Sequence, residues 1–585
     1  MTRSLNVVQP KIHIHPSEVV KDISARDLKG LNVVFINMPL RETAVPNNTP
    51  EGLLLMATNL RMNYGVNATI IDLNAYRIKD DLAQARGLPN GRHLTRHESF
   101  TLMRKHFQVH GIPDLVALSG MITTLGAPDG KDTAKQQETA RMARELAPNA
   151  LIVSGGGLGT ELKIGLFNYI PELDAVAHSE GDEIIVKICY DATMVKKYGM
   201  ASAVRQGKLH PYYLGEIAGR HRLMYAGDRP RSDKKGVLPD SLPFADLSII
   251  ETDVFGQPVL KWYLDRPEWG RSAENSSAAP WRDEEVTPKY NSVSSRGCPH
   301  DCDYCFRGSQ GERLWGVRSA EHLLKEALYN IQKYGIRYVG HPDDNFAVAI
   351  PRLEAMVPLF KGLGLRYGTH TRMDEAADLR RIRPMAESGC DYIGFGAESA
   401  HPETLKAINK GGQTLLYGFE EVEVDGGTYE FPRSMTVATR NCLDFGIHAN
   451  CTWIAGCPEE TLERLKQSIA FMRWQEIEYG RRGVPPEAVN KNMFTMTWYP
   501  GTKLIKHPRV RQELTRVFDL SFDPQALEPV CDDAFYRYCL ELDDATKLLH
   551  GPDGEPLNFS KMPNDVFLQV RECVDSGQTL RILDM

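Results

Sequence analysis

The stretch SSRGCPHDCDYCFRGS, residues 294–309, places Cys298, Cys302 and Cys305 at C-x3-C-x2-C spacing. The chain has only 11 cysteines in 585 residues, so three together need a reason. Structural zinc prefers four protein ligands, usually as two separated pairs, and neither a second C-x2-C nor a C-x2-C…H-x3-H pattern accompanies this one. A disulfide would leave one thiol over. The flanks Arg296, His300, Asp301, Asp303 and Arg307 are polar, which argues against a role in an apolar core. Clustered thiolates favour zinc or iron–sulfur sites. Three of them suit a [4Fe–4S] cubane in which one iron has no protein ligand and is free to bind a substrate.

Working outward, the cysteine loop follows YNSVSS (290–295), the first of six candidate strands. The others are IRYVGH (336–341), LRYGTH (365–370), DYIGFGA (391–397), IHANCTWI (447–454) and NMFTMTW (492–498). Helical patterns separate them, among them SAEHLLKEALYNIQKYG (319–335) and MDEAADLRRIRPMAESG (373–389). Six β/α units over 290–505 predict an open, partial parallel barrel, whose chemistry belongs at the carboxyl ends of the strands. Residues 506–585 have mixed helical patterning and predict a mostly helical extension.

Upstream lies a second alternation. LNVVFINMP (31–39), VNATIIDLN (66–74), PDLVALSG (113–120), ALIVSGGG (150–157) and LDAVAHSEGDE (173–183) read as strands, with helices at 50–65 and 133–148. This predicts a doubly wound, Rossmann-like α/β domain over 31–226. Residues 1–30 read as a polar arm and 227–289 as a loop-dominated linker. The turn SGGGLGT (154–160) is a weak dinucleotide signal, because it follows the fourth strand and no capped helix follows closely. Small and polar residues still gather on the sheet's carboxyl edge, where open α/β sheets bind large cofactors.

The composition, 42% hydrophobic and 25% charged, is that of a globular protein. A net charge of −7 without a long basic block argues against nucleic acid as partner. No apolar run reaches the roughly 18 residues of a membrane helix. The N-terminus lacks a secretory pattern, and the other cysteines are scattered, so the expected location is the cytoplasm.

C-x3-C-x2-C with Tyr304 before the last cysteine resembles the radical S-adenosylmethionine enzymes. The resemblance implies that Cys298, Cys302 and Cys305 are both the metal ligands and the catalytic core, with the open iron holding S-adenosylmethionine. HPDDNF (341–346) stands where family members contact the methionine moiety, which implies Asp343 and Asp344, with Asn345 behind them. THTRMD (369–374) implies Arg372, and GFGAESAHPETLKAINKG (394–411) implies Glu398 and Ser399. WIAGCPEETLE (453–463) and TWYPGTKL (497–504) also look like late family segments.

The N-terminal domain resembles the cobalamin-binding domain that precedes the radical domain in one subclass. Its implied cobalamin contacts are Ser119, Thr123, Gly155, Gly156, Gly157, Glu180 and Gly181; the residue facing the cobalt stays open, with Met121, Ile122 and Leu125 in the candidate loop. The D-x-H-x-x-G sequence that supplies a cobalt-ligating histidine in many cobalamin proteins is absent. Cluster, S-adenosylmethionine and cobalamin together imply methyl transfer to an unactivated carbon or phosphorus centre of a small biosynthetic substrate, with an electron donor such as flavodoxin or ferredoxin. A cyclisation or rearrangement without methyl transfer, as in the porphyrin-cyclase branch, and a non-catalytic metal-binding protein are the alternatives. Trp262, Trp269, Trp498 and Tyr499 are candidates for lining the substrate pocket.

Overall fold

NVVFIN and NATIID are apolar, β-branched runs whose middle residues are buried, and they pair as parallel strands β1 (Asn32–Asn37) and β2 (Asn67–Asp72). The computed structural model describes residues 15–40, 48–77, 81–85, 87, 91–127, 131–232, 235–266, 286–306, 315–542 and 547–585. β3 (Leu115–Ser119), β4 (Leu151–Gly155) and β5 (Ala175–His178) extend the sheet in parallel. The order β2-β1-β3-β4-β5 reverses direction between β1 and β3. That switch point opens a crevice at the carboxyl ends of the strands.

Two features of this domain lie outside the sequence expectation. β6 (Tyr213–Ile217) and β7 (Arg220–Ala226) form an antiparallel hairpin that carries the sheet to seven strands, with β7 parallel to β5. The glycines of SGGGLGT do open a helix, Gly156–Leu162, directly after β4; it has no side-chain cap, so no capping signal precedes it. The segment 227–289 is not all loop in its described parts. Its helix Val259–Leu264 lies on the edge of the sheet, and the buried Tyr263 hydroxyl donates to Asp72 at the end of β2, 2.7 Å away.

The second unit is a six-stranded parallel sheet, β8 (Lys289–Asn291), β11 (Tyr338–His341), β12 (Arg366–Thr371), β13 (Cys390–Glu398), β16 (His448–Ala455) and β17 (Met493–Thr495). These strands neighbour one another in chain order, as an open barrel requires. Helices such as Ala320–Tyr334 and Leu462–Arg481 cover the outside. Between β8 and β11, short strands β9 (Ser295–Gly297) and β10 (Trp315–Val317) pair antiparallel around the cysteine loop. Between β13 and β16 a hairpin is inserted, β14 (Phe419–Val424) and β15 (Gly427–Pro432), turning at Asp425 and Gly426, both with positive φ.

The C-terminal region is helical: Pro508–Phe518, Asp533–Glu541 and Asn564–Asp575. It returns to the N-terminal domain, where the Tyr536 hydroxyl donates to Gln137 at 2.7 Å and its ring meets that of Tyr169 at 5.1 Å. Among the described residues, no helix is long and apolar enough to cross a membrane.

Candidate active site

The cysteine loop leaves β9 at Gly297, at the carboxyl end of the barrel's first strand. Cys302 is buried, Cys298 half-buried and Cys305 exposed. The loop is pinned from two sides. Asp303 N–H donates to Ile408 O at 3.0 Å, Leu504 N–H donates to Asp303 O at 2.7 Å, and Asn409 donates to Asp301 O at 2.6 Å. Lys503 pairs with Asp301 at 2.5 Å. The segments flanking 408 and 504 are two that the sequence singled out, and their role here is to hold the loop's shape.

Nitrogen donors stand against the sulfurs. Arg372, following β12, donates to Cys302 Sγ at 3.5 Å, and Asn345 Nδ2 lies 3.8 Å from Cys298 Sγ. Such donors fit thiolates that carry negative charge in a metal site. Arg372 is oriented by Asp374, which takes its Nε and Nη2 at 2.9 and 2.6 Å. Burial alone would raise the Asp374 carboxyl, but Arg372 overrides it and holds the group below the usual carboxylate range. Asn345 is fixed in turn by Thr371 at 2.6 Å and Glu375 at 2.9 Å, and His300 reaches the same Glu375 oxygen at 3.1 Å. Among the described residues, no three His, Cys, Asp or Glu side chains are gathered tightly enough to hold a single metal ion. The three thiols therefore share one loop without forming a compact mononuclear site.

Across the barrel mouth stands a second constellation. Glu398 ends β13 with φ +62° and is 6% exposed. Its Oε1 accepts from the Tyr304 hydroxyl at 2.7 Å and from Lys410 Nζ at 2.9 Å. Burial and the Glu398 carboxylate push the Tyr304 hydroxyl far above its ordinary value, so it stays a donor. A side chain at Gly396 would put its Cβ 2.5 Å from Glu398 Oε1, which explains the glycine.

The other sequence candidates divide. Asp343 is buried and spent on the chain ahead of the cysteines: it accepts from Ser294 N–H at 2.8 Å and from the Ser294 and Ser295 hydroxyls. Asp344 is exposed and accepts from Gly297 N–H at 2.9 Å. Ser399 is fully buried against Ser468, 3.1 Å away, turned from the mouth toward the helix Leu462–Arg481. Trp498 is buried, Trp262 and Tyr499 are half-buried, and Trp269 and Arg307 lie outside the described residues.

On the N-terminal sheet, Ser119 and Gly155–Gly157 share the carboxyl edge at β3 and β4. Gly156 has φ +76°, and a Cβ there would lie 2.8 Å from Gly120 O, so backbone and backbone approach as only glycine permits. In the next loop, Ile122 and Leu125 are buried, Thr123 lends its carbonyl to Lys135 Nζ at 2.7 Å, and Met121 is 49% exposed. Gly181 packs on Met56, whose sulfur would lie 2.7 Å from a Cβ. Both Glu180 oxygens are taken, by Arg229 at 3.1 Å and by Arg296 of the cysteine strand at 3.0 Å. Lys410, Asp374, Glu375 and Arg296 are the polar groups that the sequence reading did not assign. Lys410 lies inside a segment it did quote, but its contact with Tyr304 spans 106 positions.

The family model described as the Radical SAM superfamily matches residues 292–472. An uncharacterized methyltransferase of Pyrococcus horikoshii is 28% identical over 36% of this chain and 40% of its own length. The anaerobic magnesium-protoporphyrin IX monomethyl ester cyclase of Cereibacter sphaeroides is 23% identical over 70% of this chain and 55% of its own. The chain thus spans about half the length of such relatives. Among solved structures, the cobalamin-dependent S-adenosylmethionine radical enzyme OxsB, with aqua-cobalamin and S-adenosylmethionine bound, shares the fold with a TM-score of 0.57. That match has 14% identity and covers 93% of this chain and 66% of the other.

Proposed function

We propose, from the match of residues 292–472 to the Radical SAM superfamily, that the chain is a cobalamin-dependent radical S-adenosylmethionine methyltransferase. It would transfer a methyl group to an unactivated carbon or phosphorus centre of a small molecule. One observation carries the reading: the three-thiol loop and the glycine-lined edge of the doubly wound sheet belong to one body, joined by Arg296 and Glu180 at 3.0 Å. When bound, a [4Fe–4S] cluster with S-adenosylmethionine supplies radical chemistry, and cobalamin supplies a transferable methyl group.

The chain's own residues have definite tasks in this reading. Cys298, Cys302 and Cys305 would hold the cluster, with Arg372 and Asn345 donating to two of the sulfurs. Glu398, steadied by Lys410 and Tyr304, offers a carboxylate for sugar hydroxyls or an ammonium group at the mouth. Ser119 and Gly155–Gly157 would form the cobalamin cradle, with Met121 as the exposed side chain beside it. An electron donor such as a flavodoxin or ferredoxin would complete the reaction.

A second reading is favoured by the 70% of the chain that aligns with the anaerobic cyclase: the same cofactors serving a cyclisation without methyl transfer. The deciding experiment is anaerobic reconstitution with iron, sulfide and hydroxocobalamin, then turnover of candidate substrates under a strong reductant. A product heavier by one methylene supports methyl transfer. A product without that gain supports the cyclase. Absence of S-adenosylmethionine cleavage in a fully loaded sample sinks both.

A further inference from the structure

The five residues Val293–Gly297 lead directly into Cys298, and both halves of the molecule grip them. From the barrel side, Asp343 takes Ser294 N–H at 2.8 Å and Asp344 takes Gly297 N–H at 2.9 Å. From the N-terminal side, both oxygens of Glu51, the first residue of the helix after β1, accept from Val293 N–H at 2.7 Å. Arg296 then reaches the loop after β5. Its Nη1 donates to Glu180 at 3.0 Å and to Asp182 Oδ2, and its Nη2 donates to Asp182 Oδ1 at 2.9 Å. Arg229 holds the remaining Glu180 oxygen at 3.1 Å.

This network is built, not incidental. The side chains of Arg296, Glu180 and Asp182 are 16%, 20% and 10% exposed. Burial would raise the Asp182 carboxyl, yet Arg296 keeps it below its ordinary range. A planar guanidinium fork on a carboxylate fixes direction as well as distance, which a lysine cannot do. Behind Glu180, position 227 admits only glycine, since a Cβ there would lie 1.8 Å from Glu180 O. The loop that Arg296 holds lies on the same carboxyl edge as Gly155–Gly157, and Arg296 itself is two residues from Cys298.

Resting on the function proposed above, we infer that Arg296 is a positioning residue that sets the separation and orientation of the cluster loop relative to the cobalamin cradle. It touches neither reacting group. It acts through the backbone of Arg296–Cys298 on one side and of Ser179–Glu183 on the other. The Glu180 carboxylate is accordingly a strut between the two cradles.

The test uses the holoenzyme, assembled anaerobically with iron, sulfide and hydroxocobalamin and reduced so that cluster and corrinoid are both paramagnetic. Pulsed dipolar EPR then reads their separation. The native protein is expected to give one narrow distance. Arg296→Gln and Asp182→Asn should lose it to a broad distribution while iron and corrinoid contents stay unchanged. Arg296→Lys should fall between, and Lys261→Gln, which breaks the exposed ion pair with Asp265, should match the native protein. A narrow, unshifted distance in both Arg296→Gln and Asp182→Asn overturns the inference. Should Arg296→Gln fail to fold, Asp182→Asn leaves Arg296 paired with Glu180 and decides alone. If native protein retains no corrinoid, the proposed function fails instead. Hydrogen exchange then reads the latch: amides of 179–183 and 293–297 should quicken together in Asp182→Asn, and quickening of one segment or neither overturns it.

Discussion

The Arg372 guanidinium donates to the Cys302 sulfur across 3.5 Å. Asp374 clamps its other edge at 2.9 and 2.6 Å, so the donor cannot swing away. A fixed cation beside a thiolate ligand stabilises added negative charge and makes a bound cluster easier to reduce. Arg372→Gln should therefore move the reduction potential of the assembled cluster to more negative values. The scale is about 59 mV for each 1.4 kcal/mol of lost interaction in a one-electron couple. Arg372→Lys keeps the charge without the fork and should shift it less. EPR-monitored redox titration measures both, and an unchanged potential in Arg372→Gln contradicts the assignment.

Lys410 and Glu398 form a buried pair, with side chains 7% and 8% exposed. Removing one partner leaves a charge without compensation, at a cost of about 3–5 kcal/mol. Lys410→Met is expected to destabilise the protein on that scale. Glu398→Gln combined with Lys410→Met should recover most of the loss, because no buried charge remains. Denaturant unfolding of the two single variants and the double variant gives the coupling. Additive losses would mean that the pair does not interact as described. Tyr304→Phe, which removes one donor and no charge, should cost about 0.5–1.5 kcal/mol and weaken S-adenosylmethionine binding by calorimetry.

Barrel strands such as β13 and β16 were legible because buried parallel strands read as apolar and aromatic runs bounded by turns, whereas the expected first strand, 290–295, meets β8 (Lys289–Asn291) only at 290–291. The hairpin β6–β7 was not, since YLGEI is an edge strand whose burial pattern is mostly intermediate. The inserted hairpin β14–β15 did carry a signal, FEEVEV followed by Asp425–Gly426, a turn pair suited to tight hairpins. The cysteines were readable because their spacing is local. The partners of Glu398 were not, since Tyr304 lies 94 positions away and meets it only through the barrel's register. Asp343 shows the converse. An acidic residue at a strand end reads as a cofactor contact, yet here the serines ahead of the cysteine loop consume it.

Gly156 tests the cradle. Its φ of +76° costs an L-residue about 1–2 kcal/mol, and a Cβ would stand 2.8 Å from Gly120 O. The neighbouring Gly155 meets nothing closer than 3.8 Å, so alanine is tolerated there. Gly156→Ala should lower corrinoid retained through gel filtration while iron content stays native, and Gly155→Ala should do less harm to folding. Equal loss of iron and corrinoid in Gly156→Ala would show a general folding defect, not a damaged cradle.

Glu460, in the turn after β16, gives a pH signature independent of any cofactor. The residue is fully buried, and its Oε2 accepts from Gly456 N–H at 2.8 Å. Burial outweighs these backbone donors and raises its carboxyl from 4.5 to about 8. A raised acid binds its proton more tightly folded than unfolded. Its contribution is therefore full below 4.5, declines as pH rises between 4.5 and about 8, and is lost above that. Glu460→Gln, which stays neutral and keeps an acceptor for Gly456 N–H, should flatten this decline. The variant should match the native protein only below pH 4.5 and exceed its unfolding midpoint near pH 8. Parallel pH profiles of the two apoproteins would mean that Glu460 is ionised in the folded state.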